Sequence, residues 1–274
     1  LGSITGVSDV KGRLWAYYFE PSVGANYTLV VTEEAAGRPG TVAIGAGVSR
    51  TLQAGEGDLI AFRGHDGAYV SLEVARVFPS SSELVSADLG TIAPVQAVVD
   101  QVLEALGGLD ILVNNAGIIR PTPFMEIDPE QFERTVRTHL FGTFYHTQEV
   151  LRRFMIPARS GKIINLSAPA ALRGFFGVAD YATAKGGIIS LTKNVAKEMI
   201  PFNIQVNAVI PVGKTQMTDA LAVFYADKFG AEAGRQLEDV PDTDRLIGIF
   251  VYLASADSDY VTGQVVAADG GMMC

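Results

Sequence analysis

Cysteine is almost missing from this 274-residue chain: its single thiol belongs to Cys274, the last residue. One cysteine cannot close an intrachain disulfide, and a cysteine-based zinc site is excluded. A reduced, cytoplasmic setting suits such usage. Positive charge is also scarce, with 21 Lys and Arg against 30 Asp and Glu. The resulting net charge of −9 argues against a nucleic-acid or anionic-membrane surface, since both need concentrated Lys and Arg. A small anionic ligand is still compatible, because backbone N–H groups hold phosphates without net positive charge. No apolar run approaches the ~20 residues of a membrane span. The start, Leu1-Gly2-Ser3-Ile4, lacks the basic-then-apolar order of a signal peptide and has no initiator Met.

What the chain does have is apolar residue, 48 % of the total, enough to bury a sizeable core at this length. Short β-branched or apolar runs (Tyr27–Val31, Glu83–Ala87, Ile111–Val113, Lys162–Leu166, Ile204–Ile210, Gln264–Ala267) alternate with longer stretches at helical spacing. The latter are Lys11–Glu20, Ile92–Leu106, Pro129–Met155, Ala179–Ile200 and Asp242–Ala254. Apolar strands separated by helices predict a doubly wound, Rossmann-like parallel sheet in one α/β domain spanning 1–274. In such sheets ligands bind at the carboxyl ends of the strands. Residues 35–82 break the rhythm with glycine-rich turns and short alternating runs near Thr41–Ile44, Asp58–Phe62 and Ala68–Val74. That stretch reads as a β-rich insertion after the second strand.

Two turns compete for a phosphate-binding role. Thr5-Gly6-Val7-Ser8-Asp9-Val10-Lys11-Gly12 follows a short apolar start and precedes a helical pattern, and a strand–glycine turn–helix aims helix N–H groups at a pyrophosphate. Glu33 and Glu34 follow the next strand, where a carboxylate accepts ribose hydroxyls and repels a 2′-phosphate. Gly45-Ala46-Gly47 is the alternative, without a full helix after it. An ordinary tight turn explains either equally well.

Tyr181-Ala182-Thr183-Ala184-Lys185 places a phenol and an ammonium four residues apart, on one helix face. A phenol with a pKa of about 10 is a poor base at neutral pH, and a nearby cation lowers that value. The pair then passes a proton to a carbonyl oxygen, or takes one from an alcohol, while a hydride moves. An amphipathic helix with one exposed lysine is the plain alternative for an isolated Tyr-x-x-x-Lys.

The pair opens the helix after Lys162–Leu166, and Asn114-Asn115-Ala116-Gly117 ends another strand. With the Thr5-to-Gly12 turn, Ala87-Asp88-Leu89, Asn203-Ile204-Gln205-Val206-Asn207-Ala208 and Asp269-Gly270-Gly271, the chain resembles the short-chain dehydrogenase/reductases over nearly its whole length, apart from Ala35–Ser82. The resemblance implies Tyr181 as general acid/base and Lys185 as the group that lowers its pKa and binds the nicotinamide ribose. It places Gly6, Ser8, Gly12 and Glu33 on the cofactor, Asp88 and Leu89 beside the adenine, Asn115, Ala116 and Gly117 along the cofactor, and Pro211 and Thr215 near the nicotinamide. NAD is expected over NADP, and no metal.

Four positions depart from that pattern. Val10 stands where a third glycine is usual. Ala168 occupies the place of the catalytic serine, thirteen residues before the tyrosine, and Ser167 precedes it; Ser167 either stands in through a local bulge or engages its hydroxyl structurally. His139 takes the place of an asparagine that supports a proton-relay water, and either relays protons or packs. Pro211-Val212 replaces Pro-Gly. Two functions follow: an NAD(H)-dependent enzyme interconverting a secondary alcohol and a ketone, or a catalytically silent subunit that assembles with an active relative. The resemblance also implies a homotetramer or dimer, with a hetero-oligomer open, and a substrate lid at Thr215–Asp239 whose Phe224, Tyr225 and Phe229 suggest an apolar pocket.

Overall fold

The computed structural model of the chain describes residues 5–7, 13–20, 25–32, 41–45, 59–64, 69–78, 92–106 and 108–273. The chain divides into two compact units, Leu1–Asp88 with Gln96–Leu109, and Leu89–Val95 with Asp110–Cys274.

The first unit is β-rich. Its strands are β1 (Thr5–Val7), β2 (Arg13–Glu20), β3 (Ala25–Thr32), β4 (Thr41–Gly45), β5 (Leu59–Gly64) and β6 (Tyr69–Phe78). The last three answer the alternating runs read in the sequence. One sheet has the order β1-β5-β6-β4, with β4 parallel and β5 antiparallel to β6.

The helix expected at Lys11–Glu20 is instead the strand β2, paired antiparallel with β3 so that Leu14 faces Val31 and Tyr18 faces Tyr27. Trp15, Tyr17, Tyr18 and Phe19 suit a pleated surface, and a β-branched partner strand completes the ladder. Strand pairing overrides the helical spacing. Gly6 itself sits in β1, and among the described residues the next element in the chain is the strand β2 rather than a helix. Ser8, Val10, Gly12, Glu33, Glu34, Asp88 and Leu89 lie outside the described residues. Helix α1 (Ile92–Leu106) has the bounds its spacing predicted.

The second unit carries a parallel sheet in the order β10-β9-β8-β7, formed by β7 (Ile111–Asn114), β8 (Gly161–Leu166), β9 (Ile204–Pro211) and β10 (Val265–Ala268). Ile163, Ile164, Ile204, Val206, Ala208, Val209 and Ile210 are buried. Strands that are apolar on both faces need cover on both, which helices provide. Burying one such isoleucine is worth roughly 1.5–3 kcal/mol.

Its helices of eight residues or more are α2 (Pro129–Val136), α3 (Gly142–Val150), α4 (Ala179–Met199), α5 (Gln216–Phe229), α6 (Ala231–Glu238) and α7 (Ile247–Ala254). Asp128 caps α2 by accepting the Gln131 N–H at 2.7 Å, with Pro129 at the first position. A π-helical segment, Arg137–Phe141, links α2 to α3; such widened turns recur at functional sites. Helix α4 buries Ala184, Lys185, Ile188, Thr192, Ala196 and Met199, a stripe at three- and four-residue spacing that packs against β8 and β9.

Register fixes where chemistry can occur. Asn114 pairs with Asn165, Asn165 with Ala208, and Ala208 with Val265. The four strands therefore end at one edge, and the segments beginning at Asn115, Ser167, Val212 and Asp269 emerge side by side.

Candidate active site

Tyr181 lies in the first turn of α4 and Lys185 one turn on. The Lys185 Nζ is 5.6 Å from the Tyr181 ring centroid and donates to the Leu166 carbonyl at 2.8 Å. Lys185 is buried and Tyr181 half-buried. Burial pulls the Lys185 ammonium down to about 7 and raises the Tyr181 phenol above its usual value. The expected lowering of the phenol by the ammonium is thus not the prevailing effect in the protein alone. Dehydration disfavours the charged form of each group and outweighs their mutual attraction.

Ser167 lies between β8 and α4. Its hydroxyl is buried and donates to the Lys185 carbonyl at 2.9 Å, while its N–H extends the sheet to the Val209 carbonyl at 2.8 Å. The hydroxyl is thus engaged with the α4 backbone, the structural use that the sequence left open beside the stand-in role. Ala168 is also buried and brings only a methyl group.

His139 is packed between two elements of the site. Its ring meets Tyr181 edge-on, with centroids 5.1 Å apart and planes at 86°. Its Nε2 lies 2.7 Å from the Ile118 carbonyl and 3.1 Å from the Ile118 N–H, and its Nδ1 is buried without a partner. Burial first, then the charge of Lys185, lower its pKa to about 3, against a smaller opposing effect of the Ile118 carbonyl. The ring is neutral at physiological pH, so it cannot shuttle protons as an imidazolium there. It also explains a glycine: a Cβ on Gly117 would sit 2.2 Å from His139 Cε1.

The end of β7 supplies two asparagines with different duties. Asn114 donates to Asn165 Oδ1 at 2.8 Å and to Thr147 Oγ1 at 3.0 Å, and Asn165 donates on to Thr192 at 2.9 Å. This ladder ties β7, β8, α3 and α4 together. Asn115 is buried and its Nδ2 has no partner. An unsatisfied buried amide is costly, so Asn115 fits a ligand acceptor at the strand end. Ala116 and Gly117 follow it on the same edge. No group of His, Cys, Asp and Glu suited to a metal ion occurs among the described residues.

At the end of β9, Val212 is buried and its N–H donates to the Ala268 carbonyl at 3.0 Å. The substitution of the usual glycine is absorbed in the sheet. Pro211 closes β9, and Thr215 caps α5 in a reciprocal capping box with Thr218. The segment expected to form a lid contains α5 and α6. Its Phe224, Tyr225 and Phe229 gather around Phe176, on the loop that leads into α4.

The sequence reading missed Asp180. This buried carboxylate accepts from Gln131 Nε2 at 3.1 Å, Thr135 Oγ1 at 2.9 Å and the Tyr181 N–H at 2.8 Å. It fastens the first turn of α4 to α2. The available signal was an acidic residue at a helix start, where the dipole favours it.

Comparison with known proteins gives the family. The family model described as Enoyl-(Acyl carrier protein) reductase matches residues 40–273. A 3-oxoacyl-[acyl-carrier-protein] reductase of Aquifex aeolicus is 32 % identical over 236 residues, covering 85 % of this chain and 94 % of that one. A gluconate 5-dehydrogenase of Burkholderia cenocepacia, solved with NADP and tartrate, superposes with a TM-score of 0.60 at 32 % identity, covering 72 % of this chain and 75 % of that one. An NAD+-bound xylitol dehydrogenase gives 0.63 at 26 % identity, covering 73 % and 80 %. The family match opens one residue before β4. Gly6, Ser8, Gly12 and Glu33 therefore lie outside it, and most of the stretch read as an insertion, 35–82, lies inside.

Proposed function

The chain belongs to the short-chain dehydrogenase/reductase family, and on that premise we propose that it interconverts a secondary alcohol and a ketone by hydride transfer, with Tyr181 exchanging the proton. The observation that carries the proposal is the contact of Tyr181 with Lys185 at the edge where β7, β8, β9 and β10 all end. Members of this family use nicotinamide cofactors, and such a cofactor supplies or accepts the hydride when bound.

Asn115 would hold it through the unpartnered Nδ2, alongside Ala116 and Gly117, with Pro211 and Thr215 on the nicotinamide side. The family match covers the alternative turn Gly45-Ala46-Gly47 and excludes the earlier turn at Gly6, Ser8 and Gly12. The acidic residues that pointed to NAD precede that match, so both NAD and NADP enter the test below.

Burial keeps the Tyr181 phenol protonated at neutral pH, which is the form that donates to a ketone oxygen. Lys185 stabilises the phenolate left behind, and its bond to the Leu166 carbonyl holds it in place. His139 stays neutral and sets the ring of Tyr181 by edge contact.

A catalytically silent subunit is the second reading. The engaged Ser167 hydroxyl and the methyl group of Ala168 favour it, because a missing oxyanion donor costs on the order of 10²–10³ in turnover. Association with other copies is also proposed, through the groove between Leu140, Phe141, Phe144 and Tyr145 on one side and Gly187 and Leu191 on the other. Titration with NADH and with NADPH, followed by nicotinamide fluorescence, tests the enzyme reading. Saturable binding of either supports it; no binding of either up to about millimolar concentration, the upper range of ordinary KM values, removes it.

A further inference from the structure

Four aromatic side chains close a ring beside the loop that leads into α4. Phe176 stacks on Phe224 with centroids 6.0 Å apart and planes at 18°, and meets Phe229 edge-on at 5.1 Å. Tyr225 touches Phe224 at 6.0 Å and Phe229 at 5.2 Å. Phe176 comes from the loop five residues before Tyr181; the other three come from α5. The ring thus joins the lid to the segment that delivers the proton donor.

Neighbouring backbone fixes this loop from the other side. The Gly177 carbonyl accepts from the Thr122 N–H at 2.7 Å, so the segment after β7 and the loop before α4 are held together. Gly177 has φ +79, and a Cβ there would lie 2.5 Å from Phe224 Cε1. Only glycine allows the ring to come so close.

Simple stapling of a lid would bury the rings. Here Phe176 stays 48 % and Phe229 54 % exposed, and Leu172 and Val223, on the same two segments, are exposed as well. Apolar surface left open beside a reaction centre marks a binding face. Its chemistry is one-sided: the ring's single polar side-chain group, the Tyr225 hydroxyl, already donates to the Phe176 carbonyl at 3.2 Å. A substrate hydroxyl laid against these rings finds no side-chain partner among them.

We propose that Phe176, Phe224, Tyr225 and Phe229 form the specificity surface of the site and select a ketone or secondary alcohol bearing an aryl substituent on the reacting carbon, against hydroxyl-rich ketoses and polyols. This rests on the alcohol–ketone reading above. Aryl groups gain offset or edge contacts with the rings, whereas a hydroxyl against an apolar pocket is rejected by about 10² in kcat/KM.

The test uses the full-length protein and two readouts. In the first, kcat/KM is compared for acetophenone, acetone and a ketohexose with nicotinamide cofactor present. In the second, binding of a fluorescent naphthyl methyl ketone is titrated with and without turnover. Wild type should prefer acetophenone to the ketohexose by about 10² and bind the naphthyl ketone saturably. Phe176→Leu and Phe224→Leu, which keep an apolar side chain, should each weaken that binding several-fold and narrow the preference for acetophenone over acetone.

Activity on acetone without an aryl preference overturns the specificity surface and leaves the alcohol–ketone reading standing. Absent turnover with ring-dependent naphthyl binding supports the surface and removes the enzyme reading. Naphthyl binding that ignores both substitutions, or no binding, overturns the proposal.

Discussion

The hydroxyl of Ser167 and the backbone carbonyl of Lys185 are hydrogen-bonded at 2.9 Å. The bond fastens the end of β8 to the middle of the turn that carries Tyr181 and Lys185, and the Lys185 ammonium returns the connection by donating to Leu166. Two bonds of opposite direction therefore lock helix to strand, and the serine acts as a clamp.

Ser167→Ala should accordingly leave kcat within about threefold while destabilising the protein by about 0.5–1.5 kcal/mol, the net worth of one hydrogen bond, because the Lys185 carbonyl keeps its helical partner. Ala168→Ser should do the reverse, restoring a donor and raising kcat by up to about 10²–10³. Steady-state kinetics with urea unfolding checks both. A loss of kcat in Ser167→Ala beyond a hundredfold would show that the hydroxyl turns to the substrate during the reaction.

Gly117 and His139 should be coupled. Gly117→Ala drives a methyl group into the imidazole and should cost about 1–3 kcal/mol by overpacking. His139→Ala makes room, so the double variant should be more stable than the sum of the single effects predicts. Additive losses in a double-mutant cycle would contradict the packing described.

Stability should depend on pH through two buried bases. His139 has its pKa lowered from 6.5 to about 3, so the unfolded chain binds the extra proton between those values. The His139 contribution should be complete above pH 6.5 and be lost as pH drops towards 3. Lys185, lowered from 10.5 to about 7, should likewise make stability rise between pH 7 and 10.5. His139→Asn should flatten the acid limb in a series of urea midpoints; an unchanged limb would assign it elsewhere.

Much of the second unit was legible in the sequence, for a physical reason. Strands buried on both faces must be apolar throughout, so Lys162–Leu166 and Ile204–Ile210 announce themselves, as does the stripe from Ala184 to Met199. The strand β2 was not legible: Trp15, Tyr17, Tyr18 and Phe19 satisfy a helical spacing and a strand equally, and the partner strand decides. Equally hidden were the directions of side chains at strand ends. Whether Ser167 faces a cavity or a helix backbone depends on one residue of register, and whether His139 is charged depends on water excluded by elements far away in sequence. Asp180 was overlooked because its partners, Gln131 and Thr135, lie on another helix.

Phe144→Glu should test the apolar groove between the α3 and α4 sides. Phe144 is 40 % exposed and lines it, and a carboxylate there should disperse an assembly built on this face. Light scattering should show a smaller species than wild type at equal concentration. An unchanged mass would place the association elsewhere.

The proton-transfer role of Tyr181 is tested most directly by its Phe variant, which keeps the ring against His139 and removes only the hydroxyl. With ketone reduction followed through nicotinamide absorbance, Tyr181→Phe should lose about 10²–10⁴ in kcat while nicotinamide affinity stays within a few-fold of wild type. Turnover at the wild-type rate in that variant would contradict the assignment.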